Sequence, residues 1–154
     1  MGRKYSPEET RLQIARWVDR CERCHREVCD KLNAWGVPPA EHEDLLAQLI
    51  SGNALNEQRY ALAFASDHFR FHGWGPFKIA AALRAKGISQ QLVQLALASL
   101  DAAALRRSVV QLAQRKFDTL RDGALQLRRK KTAQFLVQKG FEPDMVWETV
   151  GSLT

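Results

Sequence analysis

No apolar run in this chain approaches the roughly 20 residues that a membrane-spanning helix needs, so no membrane role is expected. The start, Met1-Gly2-Arg3-Lys4-Tyr5, leads into acidic Glu8-Glu9 and not into an apolar segment, so a secretory leader is not expected either. Cysteine is scarce and odd in number, with three residues, which builds no disulfide framework and makes the cytoplasm the expected compartment. No segment sustains an apolar–polar alternation, so there is no strand to place. The familiar catalytic motifs are missing too: no phosphate loop, no H-E-x-x-H and no G-x-S-x-G. Gly73-x-Gly75 is too short for a nucleotide fingerprint and joins two helical segments. Neither catalysis nor a cofactor is expected.

What the chain does contain is repetition. Leu-x-x-x-Gly followed by an apolar residue occurs as Leu32…Gly36-Val37, Leu83…Gly87-Ile88 and Leu136…Gly140-Phe141, with the glycines 51 and 53 residues apart. Thirteen residues beyond each glycine stand Leu49, Leu100 and Leu153; ten beyond stand Leu46, Leu97 and Val150. Self-similarity at this period marks an array of small units that bury their apolar faces against neighbours. The boundaries fall at residues 1–54, 55–100 and 101–154.

Helical periodicity accounts for each unit. Ser6-Pro7-Glu8-Glu9 reads as an N-cap, a proline at the first helical position and acids near the positive end of the dipole. Ile14, Val18 and Cys21 continue that stripe. Further helices are predicted from about 24 to 35 and 41 to 50. In the second unit they run from 56 to Gly73, from Pro76 to Lys86 and from Ser89 to Leu100. In the third they follow Leu105–Leu120, then 124–139, then Pro143 onward. The expected fold is all-α: an elongated, curved array of three tandem three-helix repeats.

Two clusters invite a chemical reading. Cys21-Glu22-Arg23-Cys24-His25 matches the C-x-x-C-H attachment motif of c-type haem, but that chemistry belongs outside the expected compartment. Adding Cys29 and His25 or His42 supplies enough ligands for zinc, though not at paired-knuckle spacing. The structural alternative packs Cys21 inward, puts Cys24 at an N-cap with Glu27 completing a capping box, and buries Cys29 in register with Ala80 and Ala133. No metal is expected. Trp35 stands where the other repeats have Lys86 and Lys139; it is either a contact aromatic or packed beneath the N-terminal segment.

Basic residues carry more. The formal charge is +6, and the excess lies in the last two repeats, with 5 Lys/Arg against 2 Asp/Glu in 55–100 and 10 against 6 in 101–154. Arg128-Arg129-Lys130-Lys131 spans about 300° of a helix, and Arg128, Lys130 and Lys131 are expected to point outward. Lys139 follows on the same helix, Arg106, Arg107, Arg115 and Lys116 on the preceding one, and Lys78, Arg84 and Lys86 on the equivalent helix of repeat two. Such a stripe suits a phosphate backbone or an acidic protein groove.

The ordered series Leu55-Asn56-Glu57-Gln58-Arg59-Tyr60, Gly73-Trp74-Gly75-Pro76-Phe77-Lys78-Ile79 and Leu83-Arg84-Ala85-Lys86-Gly87-Ile88 resembles the RecX regulators of the bacterial RecA recombinase. Arg115-Lys116-Phe117 and Phe135-Leu136-x-x-Lys139-Gly140-Phe141 resemble the third-repeat elements of that family. Trp74 stands where tyrosine is commoner, Phe77 where a basic residue is usual, and Cys24 where a hydroxyl cap is typical. The resemblance implies a curved helical array lodged along the groove of the recombinase filament, limiting its growth or activity; a monomer is expected. It also implies non-specific affinity for single- and double-stranded DNA, and no catalysis. A stand-alone nucleic-acid-binding module acting through the basic stripe is the competing expectation.

Overall fold

A computed structural model describes residues 2–154 and contains, among them, nine helices and no strand. They are α1 (Pro7–Asp19), α2 (His25–Ala34), α3 (Pro39–Ser51), α4 (Glu57–His72), α5 (Pro76–Ala85), α6 (Gln90–Ala98), α7 (Ala102–Thr119), α8 (Leu125–Lys139) and α9 (Pro143–Gly151). Side-chain caps start four of them: Ser6 accepts from Glu9 N, Asn56 from Arg59 N, Ser89 from Leu92 N and Asp101 from Ala104 N. Each cap satisfies an amide that the first turn leaves without a partner. Proline opens α1, α3, α5 and α9, where its missing N–H costs nothing.

The thrice-repeated Leu-x-x-x-Gly pattern has one physical cause. Gly36, Gly87 and Gly140 adopt φ of 73°, 79° and 100°, closing α2, α5 and α8 in the left-handed conformation. The following amide then reaches back over the turn: Val37 N to Leu32 O at 2.9 Å, Ile88 N to Leu83 O at 3.1 Å and Phe141 N to Leu136 O at 3.2 Å. This is the Schellman ending, whose hydrophobic clasp joins the residue after the glycine to the one four before it. Both members are buried in all three repeats.

Three apolar clusters follow. Ile14, Val18, Val28, Leu32, Leu45 and Leu49 form the first, among α1–α3. Tyr60, Ala61, Ile79, Leu83 and Val93 form the second, among α4–α6. Val109, Phe117, Leu136, Phe141 and Val146 form the third, among α7–α9. Burying one such side chain is worth about 1.5–3 kcal/mol. The clusters interlock: Leu55 completes the first, and Cys24, from the start of α2, completes the second.

Some expectations are corrected. Cys21 is exposed, because α1 ends at Asp19 and the helical stripe does not reach it. Cys29 is half-buried although Ala80 and Ala133, in the same register, are core residues. Cys24 does stand at the N-cap of α2, fully buried, with its amide donating to Glu27 Oε1 at 3.0 Å. Trp35 is 8% exposed and lies under the N-terminal segment: Tyr5 meets its ring edge-on at 5.2 Å, and Lys4 N donates to its carbonyl.

Candidate partner-binding ridge

Adjacent repeats are joined at the ends of their middle helices, and the joints decide where the basic residues stand. At the first joint the Arg59 guanidinium holds the Glu22 carboxylate at 2.6 and 2.7 Å and also donates to the carbonyls of Asn53 and Ala54. His25 N donates to Glu57, the Arg26 guanidinium to Ala85 O, and Lys86 pairs with Glu27 at 3.6 Å. The Asn56-Glu57-x-Arg59-Tyr60 motif is therefore a cap, two inter-repeat anchors and a core aromatic. At the second joint the contacts are main chain to main chain: Gly75 N to Lys139 O at 2.7 Å and Phe77 N to Gly140 O at 2.8 Å. Free amides at the start of α5 thus meet free carbonyls at the end of α8.

This second joint brings lysines from three helices together. Lys78 Nζ lies 4.5 Å over the Trp74 ring. Lys139 Nζ donates to His72 O at 3.0 Å and stands 5.9 Å from the Phe135 ring, which Lys116 Nζ approaches to 5.2 Å from α7. Behind Trp74 the aromatic run continues through His68 at 4.5 Å to Phe64, stacked on that histidine at 3.8 Å. The ammonium groups thus stand over ring faces, an electrostatically favourable arrangement, on half-buried side chains. Phe71 and Phe77, 70% and 55% exposed, flank the same segment, with Arg70 5.3 Å from the Phe71 ring. The result is a ridge of alternating cations and aromatics across repeats two and three.

The single stripe expected from sequence is not what forms. On α5, Arg84 lies about 240° around the helix from Lys78 and bonds Gln90 Oε1 at 3.0 Å, while Lys86 turns to Glu27. Arg128 points inward: its guanidinium stacks 3.8 Å over buried Phe117 and donates to the Phe117 carbonyl, which corrects the expectation that it points outward with Lys130 and Lys131. Arg129 holds the C-terminal turn through two bonds to Leu153 O, at 3.0 and 2.6 Å. Lys131 is exposed, and Lys130 stands on the far side of α8, beside α9. Arg107 makes a loose 3.9 Å pair with Asp101, and Arg115 is exposed on α7. Trp74, Gly75, Pro76 and Ile79 form the turn and first helical residues that build the ridge. His72, Phe135, Phe71 and Phe77 complete or flank it, and the sequence reading does not place them in the site; the run Phe69-x-Phe71-x-x-Trp74 signals Phe71, and Phe77 and Phe135 stand in the family-like motifs.

No three His, Cys, Asp or Glu side chains among the described residues come together in a metal-binding group. The His25 ring faces Glu57 instead, with Nδ1 at 3.4 Å.

Comparison with known proteins matches the helical units directly. Residues 56–97 match the family model described as RecX, second three-helix domain, and residues 108–150 the model of the third, together more than half of the chain. The regulatory protein RecX of Clostridium botulinum is 29% identical over 136 residues, covering 86% of this chain and 63% of that protein. That of Streptococcus uberis is 28% identical over 133 residues, covering 86% and 50%. The chain thus spans between half and about two-thirds of the length of these relatives. The crystal structure of RecX from Lactobacillus salivarius shares the fold, with a TM-score of 0.84 at 21% identity and 95% of both chains covered.

Proposed function

The chain belongs to the RecX family, and from that premise we propose that it binds the filament of a RecA-type recombinase, lodging in its groove and inhibiting filament growth and ATPase activity. Residues 1–54, 55–100 and 101–154 act as three consecutive contact units of one elongated, curved monomer. It works in the cytoplasm, in recombination and DNA repair, without metal, cofactor or catalysis. Its contacts with single- and double-stranded DNA are non-specific, and the basic ridge supplies those made to phosphates.

The observation that carries this reading is the ridge. Lys78, Lys116 and Lys139 come from two repeats, are held by Trp74 and Phe135, and present a surface suited to a long anionic partner. Arg84, Lys86, Arg107, Arg115, Lys130 and Lys131 add positive potential around it rather than forming one line. The filament is preferred to bare DNA because exposed Phe71 and Phe77 add apolar surface that a phosphate backbone does not need.

The test is the recombinase's DNA-dependent ATPase with and without this chain. The parent should inhibit, and a Lys78/Lys116/Lys139→Ala variant should need roughly tenfold more protein for the same effect, each exposed charge contributing only about 0–1 kcal/mol. Arg11, Arg16 and Arg20, exposed on or just after α1, serve as the control triple and should matter little. Equal loss from both triples would mean that net charge drives the binding. DNA binding without any effect on the ATPase would favour the stand-alone nucleic-acid module.

A further inference from the structure

Away from the ridge, on the opposite side of α8, a groove of about 460 Å³ runs between α8 and α9. Gln126, Lys130 and Gln134, spaced four residues apart, form one wall as a row on a single helix face. Trp147 and Gly151 of α9 face them, over a floor that includes Val150. Trp147 is 55% exposed, unusual for a tryptophan, whereas Trp35 is buried and Trp17 and Trp74 are half-buried. Arg129 also lines the groove, and its two bonds to Leu153 O fix the guanidinium in place. Gly151 keeps this end open: a Cβ there would meet nothing within 4 Å.

We propose that this groove binds single-stranded nucleic acid, with one unpaired base stacked on Trp147 and a neighbouring phosphate on Lys130. Each wall fits one part of a nucleotide. An accessible indole face accepts any base, since every base has a π-face. The amides of Gln126 and Gln134 both donate and accept, as base edges require. Among the described residues Lys130 makes no ion pair, and it lines the groove with Trp147, while Arg129 supplies fixed positive charge there. Asp144 and Glu148, the acids of α9, do not line the groove. A duplex is a poor fit because its bases already stack on one another. An acidic peptide would satisfy Lys130 but would leave the indole face and the amide row without matched partners. The groove is separate from the ridge; it rests on the single-stranded DNA contact of the proposed function and gives that contact a place, without depending on the filament reading.

The test uses the full chain and a fluorescein-labelled oligothymidylate of about 12 nucleotides, followed by anisotropy. Trp147→Ala should weaken binding about tenfold, as loss of one base–aromatic stack does, while Trp147→Phe stays within about threefold of the parent. Gly151→Leu fills the groove at a position with open space, so it should fold and bind as weakly as Trp147→Ala; Gly151→Ala should bind as the parent does. Lys130→Gln should lower the salt slope by about 0.7, one single-strand phosphate's share. An abasic strand of equal length and charge should bind the parent about as weakly as the intact strand binds Trp147→Ala. The proposal is overturned if Trp147→Ala and Gly151→Leu both bind like the parent, or if the abasic strand binds as well as the intact one. No recombinase is present, so such a failure leaves the filament reading standing. Expected binding here with no effect on the recombinase ATPase would remove the filament reading alone.

Discussion

Gly75 and Gly140 meet backbone to backbone: a Cβ added to Gly75 would lie 2.5 Å from the carbonyl carbon and oxygen of Gly140. Neither position has room for a side chain, and Gly140 also holds φ at 100°. Gly75→Ala should therefore destabilise the chain by about 2–3 kcal/mol, in the range of overpacking against a rigid neighbour. Gly87→Ala is milder, about 1 kcal/mol from left-handed strain, because its added Cβ would meet only the flexible Arg26 guanidinium at 3.1 Å. Urea denaturation of both variants checks the order. Equal losses would mean that the close approach carries no weight.

Arg128 is a structural cation. Its stacking on Phe117 and its bond to the Phe117 carbonyl predict that Arg128→Ala loses about 1–2 kcal/mol. Lys131→Ala, fully at the surface, should melt with the parent. A thermal scan separates them. An unchanged melting temperature for Arg128→Ala would return that residue to the candidate binding surface.

The three thiols should react in sequence. Cys21 is exposed, Cys29 half-buried and Cys24 fully buried, and burial pushes the thiols of Cys24 and Cys29 above the ordinary cysteine value. Titration with a thiol reagent near neutral pH should modify Cys21 fast, Cys29 slowly and Cys24 only on unfolding. Early labelling of Cys24, located by mass spectrometry, would show that the first joint opens readily.

Besides its contacts with Trp35, the N-terminal segment is tied down by an ion pair, Arg3 to Glu41 at 2.6 Å. The hydrogen bond from Arg3 holds the Glu41 carboxyl below the usual carboxylate range. A depressed carboxylate favours the folded state above its unfolded pKa, and that contribution is lost as pH falls through the lower folded value. Arg3→Gln should move the Glu41 titration upward, towards its ordinary value of 4.5, as followed by NMR. The same midpoint in both proteins would mean that the pair does not form in solution.

The sequence made the helices legible for a physical reason. Caps, prolines and the Schellman ending are local, and each element's start and stop depends on residues within a turn of it. Thr132, which the repeat period puts in register with Val28 and Ile79, is buried as they are. The candidate surface was less legible because it depends on azimuth and on distant partners. Residues 128–131 look like one basic block, yet the helix sends Arg128 to Phe117, Arg129 to Leu153 and Lys130 towards Trp147. The contact of Lys139 with His72 spans 67 residues, and no local pattern encodes it.

The two joints differ in substance, and so in mechanics. The first is made mostly of side-chain charges, Glu22 with Arg59, Glu27 with Lys86 and Glu57 with the start of α2, which dissolved salt weakens. The second is main chain on main chain, closed by two amide-to-carbonyl hydrogen bonds that salt screens little. Bending should therefore concentrate between the first and second repeats, with the second and third moving as one arm, and small-angle scattering across a salt series should show the angle of the first changing with ionic strength.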